Sequence, residues 1–231
     1  MKNILKTMLL YLLLVSVVFS VPISAQENLP FAYQSTIDSL TNLQIIPSDY
    51  EAHTIATRYD AMYLLARATS VNRFAEQVTI EDIPTQYADI PKDSAILPAL
   101  HWADMTFFCG KAMSDGSIVA DLNSQLSKKE AIVMCLRVIL SKEIFQLKSQ
   151  HCDNTDEYLI FEATNYGLVN YSIGDKVGVE VTEANLNEPI SFAELCAMIY
   201  QTMHAPIITN TYGGYRITYI IDEYLPEVTN Q

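Results

Sequence analysis

The 231-residue chain carries 27 acidic and 14 basic side chains, a formal net charge of −13, with half of its residues hydrophobic and only seven glycines. A chain so acidic, with no basic stripe, is repelled by phosphate backbones, which argues against nucleic acid as a partner. Its few glycines form neither a Walker nor a dinucleotide loop.

At the start, Lys2 and Lys6 precede an apolar run from Met8 to Val21, followed by Pro22 and the small-residue ending Ile23-Ser24-Ala25. This pattern predicts a signal peptide over 1–25, cleaved after Ala25. The run is shorter than the ~20 residues of a spanning helix, and no second one follows, so export without membrane embedding is expected. An uncleaved anchor is the plain alternative. No cysteine stands at the cut to take a lipid, and losing two lysines and no acid takes the charge from −13 to −15.

Next, Ile37, Leu40 and Leu43 predict an amphipathic helix ending before Pro47. Thr57 and Asp60 then form a cap of the S/T-x-x-E/D kind, opening a helix to about Ser70 with Met62, Leu65 and Ala66 on one face. A linker over 71–86 follows, with Asp-Ile-Pro at 82–84 inside it and again at 89–91 just beyond it, where each proline holds its predecessor extended. A helix is predicted from about Ser94 to Cys109 with Gly110 as a left-handed stop, and Asp115-Gly116 turns the next loop. Ser127 and Glu130 make a capping box ahead of Ile132, Cys135, Leu136 and Ile139, a single helical face.

After a second linker, 143–150, Leu159, Ala163 and Tyr166 mark a helix stopped by Gly167, and one short strand is predicted within Val177 to Thr182. Ser191 and Glu194 cap a last helix bearing Cys196, Ile199, Tyr200 and Met203. The tail, 207–231, changes period, and Gly213-Gly214 between two β-rich runs predicts a hairpin.

The cap recurs at 57, 127 and 191, spacings of 70 and 64 residues, which points to an internal repeat. The expected fold is mainly α. Three helix–loop–helix units, 26–70, 87–142 and 151–206, would surround a shared core as a three-lobed array, with short loop strands and a C-terminal β-hairpin.

These units resemble the S-layer homology domain, in which a helix and a Gly-containing loop precede a second helix opened by a T-R-A-E-like motif. In the second unit, Tyr87-Ala88-Asp89-Ile90-Pro91 resembles the opening F-x-D-V-P, Ala99-Leu100-His101-Trp102-Ala103 resembles A-V-x-W-A, and Leu126-Ser127-Lys128-Lys129-Glu130 stands where L-T-R-A-E would. Thr57-Arg58-Tyr59-Asp60 matches in the first unit. In the third, Gly167-Leu168 and the stretch Asn187 to Glu194 do. The motif arginine survives only as Arg58, with Lys128 a partial substitute and Phe192 none.

The resemblance implies noncovalent attachment to a bacterial cell wall, with acidic groups of a secondary wall polysaccharide meeting the motif's basic residue. An arginine fork matches a carboxylate, and an aromatic face stacks on a sugar ring. The glycan-binding candidates are therefore Arg58, Lys128, Lys129 and Trp102. Against these stand a solvated first-turn Arg58, surface charges at Lys128 and Lys129, and a core role for Trp102.

Thr57, Asp60, Ser127, Glu130, Ser191 and Glu194 are read as structural caps first. Cys109, Cys135, Cys152 and Cys196 are even in number, but Cys135 and Cys196 sit on apolar helix faces and are read as buried free thiols. His151, Cys152, Asp153 and Asp156 lack the spacing of a zinc site, so no metal is expected. No catalytic residue and no cofactor is nominated. A second expectation, from a different class, is a secreted interaction scaffold that has lost glycan binding and docks a protein partner through 207–220 by strand addition.

Overall fold

The computed structural model describes residues 31–50, 54–69, 86–141, 144–146, 155–173, 176–177, 179–211 and 214–224. The segment read as a signal peptide and most of the segment read as the first linker lie outside them, as does Cys152. The chain divides into Met1–Phe31 and a body from Ala32 to Gln231.

The body is mainly helical. Among the described residues its α-helices include α1, Phe31–Asn42, α2, Arg58–Thr69, α3, Leu97–Thr106, α4, Lys128–Leu140, α5, Thr155–Asn165, and α6, Phe192–His204. Among the described residues the strands pair as antiparallel twos: β1 (Lys111–Ala112) with β2 (Ile118–Val119), β3 (Ser172–Ile173) with β4 (Lys176–Val177), and β5 (Ile207–Thr211) with β6 (Gly214–Thr218). One apolar cluster joins α2, α4 and α6, and α3 lies against α2 while α5 lies against α4.

The caps act as their sequences predict. In α4 and α6, Ser127 and Ser191 accept from the amides of Glu130 and Glu194, whose carboxylates accept in turn from the cap amides. In α2, the Thr57 amide donates to Asp60 Oδ2 at 2.6 Å and the Asp60 amide to Thr57 Oγ1 at 3.2 Å. Each box satisfies two amides that a helix start leaves without a partner.

The three capped starts also bond to one another in a closed ring. Ala56 donates its amide to the Ile190 carbonyl, Ile190 to Leu126, and Leu126 to Ala56, each at 2.9 Å. All three residues stand immediately before a cap and are fully buried. A second ring runs outside it, from Arg58 to Ser124 at 3.0 Å, from Lys128 to Glu188 at 3.0 Å and from Phe192 to Thr54 at 3.1 Å. Here the first amide of each helix, which has no acceptor within its own helix, finds one in a neighbouring segment.

Helix ends are alike too. Ile45, Phe108 and Leu168 donate five residues back, to Leu40, Ala103 and Ala163, at 2.9, 2.6 and 2.8 Å. Gly167 holds φ +68° at such an end, as its reading as a stop requires. Gly110 does not belong to this class. The preceding helix already ends at Thr106 with Phe107 as its cap, and Gly110 has no positive φ. It serves close approach instead: a Cβ there would come within 2.4 Å of Tyr87 Cε1 and 2.7 Å of the Val119 carbonyl.

Other local expectations change. The strand expected within 177–182 is the hairpin β3–β4, ending at Val177. Gly214 lies inside β6 opposite Thr211 rather than in the turn. Phe145, in the segment read as a linker, is buried in the core. The tail is fastened down as well: β5 touches α4, a 3-10 turn at Ile220–Tyr224 lies on α6, and the Tyr224 hydroxyl donates to the carbonyls of Arg67 and Ala68 at 2.8 and 3.1 Å. No helix among the described residues is long and apolar enough to cross a membrane.

Candidate functional site

The residue after the first and second caps meets the capping acid of the next helix start, and at the third Tyr50 meets that acid, so three junctions can be compared. Their chemistry differs.

At the first, between α2 and α4, Arg58 is not solvated; it is buried. Its Nη1 donates to Glu130 Oε1 at 2.8 Å, Nη2 to the Cys109 carbonyl at 2.8 Å and Nε to the Ala120 carbonyl at 3.1 Å. The guanidinium also sits 4.8 Å over the Phe108 ring, a favourable cation–π position. Glu130 therefore caps its own helix through Oε2 and holds Arg58 through Oε1. Lys111 lies 3.9 Å from the same carboxylate and 2.7 Å from Asp121, whose carboxyl it holds below the usual range.

The second junction repeats this with a weaker base. Lys128 is buried, its Nζ 3.3 Å from the Glu180 carbonyl and 3.8 Å from Glu194. At the third, the position belongs to Phe192, which stacks on Tyr50 at 5.9 Å, and Tyr50 stacks in turn on Tyr63 at 6.0 Å. The Tyr50 hydroxyl donates to Asp60 Oδ1, so a phenol supplies the donor that a base supplies elsewhere. Burial, then this bond to Asp60, raises the Tyr50 pKa and keeps it a neutral donor.

A cavity of about 180 Å³ opens at the first junction, lined by Arg58, Cys109, Lys129, Glu130, Val133, Met134 and Arg137. It runs along α4, because Lys129, Val133 and Arg137 succeed one another at i, i+4 and i+8 on one ridge. Three of its lining residues are cations and one is an acid, in a chain of net charge −13. Its lining contains no histidine to activate the Cys109 thiol, and its polar groups are chiefly donors suited to an anion.

Of the candidates, then, Arg58 and Lys129 share this cavity, and Lys129 also pairs with Asp156 at 2.6 Å. Lys128 faces the second junction. Trp102 is half-buried and donates Nε1 to Thr69 Oγ1 at 2.9 Å, a packing contact between α3 and the end of α2. Arg137 was not nominated from sequence, although its spacing from Lys129 places both on one ridge.

Cys135 and Cys196 are free and buried. Burial pushes the Cys135 thiol up to about 12 and raises that of Cys196, where Asp60 adds to the effect. Neither supplies a thiolate near neutrality. Among the described residues no group of three or more His, Cys, Asp or Glu is placed to hold a metal ion. Compared with family models, curated proteins and solved structures, the chain matches none.

Proposed function

We propose that this chain is an exported, non-enzymatic protein of the bacterial cell surface, built of three divergent S-layer homology repeats. It attaches noncovalently to a peptidoglycan-linked secondary wall polysaccharide. The observation that carries the reading is the juxtaposition of the cap rings with the cation-lined cavity. Three helix starts of one sequence pattern close on each other through equivalent amides, and a cavity lined by cations opens at the junction that keeps the motif arginine. A polyanion would ordinarily avoid a chain of this charge, so local cations must outweigh the general field.

The test is sedimentation of purified protein with native sacculi and with sacculi stripped of their secondary polymer. Co-sedimentation with the native preparation alone is expected. Equal recovery in the supernatant of both would overturn the wall reading.

The scaffold reading has its own support. Ile217 and Tyr219 of the tail are 57% and 40% exposed, and Arg58 is engaged within the protein. In that case the surface of 207–220 receives a protein partner, and Ile217→Lys abolishes its capture without altering the fold.

A further inference from the structure

We infer that the cavity at the α2–α4 junction takes one ring-sized ligand bearing a single oxyanion group, and that Arg137, outside the repeated motif, is the residue that reads this anion. The inference rests on the wall-binding reading for its biological setting, but its evidence lies in the cavity itself.

The cations of the cavity are not equivalent. Arg58 is fixed by three hydrogen bonds, one of them to Glu130, and by the Phe108 ring, so it forms a wall rather than a reader. Lys129 is paired with Asp156 at 2.6 Å. Arg137 has no carboxylate partner among the described residues. It has one long bond, from Nη1 to the Phe107 carbonyl at 3.3 Å, and a distant contact with the Phe145 ring at 5.6 Å.

Its Nε, moreover, is buried with no hydrogen-bond partner among the described residues. A buried donor left unmet is unfavourable, and a bound oxyanion relieves that penalty while neutralising a lining cation that has no carboxylate among the described residues. A small turn of the side chain gives carboxylate or phosphate two parallel donors.

Size and floor complete the argument. About 180 Å³ is close to the ~150 Å³ of an engineered cavity that holds benzene, so one six-membered ring fits and a second does not. Val133 and Met134 give the ring an apolar bed between the cations, as the weakly polar face of a sugar requires.

The experiment is calorimetric titration of the purified protein with three probes: glucuronate, glucose 6-phosphate and glucose. Binding of an acidic probe but not of glucose is expected, weakened roughly tenfold or more in Arg137→Met, as loss of a charge-assisted bond implies. Arg137→Lys should recover part of the affinity, and melting temperatures should show that both variants fold.

Glucuronate binding assigns a carboxylate, and glucose 6-phosphate binding a phosphate, to the same donors. Unchanged affinity in Arg137→Met, glucose binding as tightly as the acids, or no binding of any probe overturns the inference. Sacculus sedimentation separates the two proposals: its absence with Arg137-dependent probe binding intact refutes the wall reading alone, and sedimentation without that probe binding refutes the Arg137 assignment alone.

Discussion

Arg58→Ala is expected to destabilise the protein by about 3 kcal/mol, because removing one partner of a buried ion pair leaves the other charge and its neighbours unsatisfied. Glu130 keeps its cap but loses its cation, and the carbonyls of Cys109 and Ala120 lose their donor. In a protein of this size such a loss lowers the melting temperature by roughly 6–12 °C. Thermal unfolding of Arg58→Ala, Glu130→Gln and the double variant measures it, and the two effects should be strongly non-additive. Additive, sub-kilocalorie effects would show a surface arginine. One consequence is practical: lost wall binding in Arg58→Ala does not identify a ligand contact, which is why Arg137 and Lys129 are the informative positions.

Removing the tail from Ile207 onward should be similarly severe. A pendant hairpin would be dispensable, since two strands alone are marginal in water. This one leads into Ile220, 7% exposed against the core, and Tyr224, whose hydroxyl meets the last carbonyls of α2. Burying an isoleucine contributes about 1.5–3 kcal/mol, and the hydroxyl bonds add roughly 1 kcal/mol. Truncation should therefore lower stability by about 3 kcal/mol, read from urea midpoints, and weaken any binding indirectly. A truncated protein as stable as the full chain would contradict this placement. Ile217→Lys, on the exposed face, tests partner capture without that confusion.

The helix starts were legible because a cap is a local signal: hydroxyl, acid and apolar face stand within a few residues of each other at 57, 127 and 191. The ring joining them was not, since its bonds link Ala56, Leu126 and Ile190 through backbone atoms that carry no sequence mark. Arg58 shows the same limit. Its position in a first helical turn suggests solvent, while its partners lie 51, 62 and 72 residues away.

Phe192 looks like a lost arginine until Tyr50, 10 residues before Asp60, is seen donating to that acid. Gly110 reads as a helix stop because glycine has two uses, backbone freedom and close approach, which sequence cannot separate; Tyr87 and Val119 decide for the second. Arg137 was within reach, since the row Lys129, Val133, Arg137 is visible in the sequence. Nothing there said that the ridge borders a cavity.

The measurement that tests the account most directly is the alkylation rate of Cys109 in a Cys152→Ser background. Cys109 lines the cavity and is partly exposed, whereas Cys135 and Cys196 are buried and, with thiol pKa values raised, should not react in the folded protein. Native sacculi should slow modification of Cys109 at least tenfold, and sacculi stripped of polymer should leave it unchanged. An unchanged rate on native sacculi that do retain the protein would place the wall contact elsewhere and contradict the assignment of this cavity.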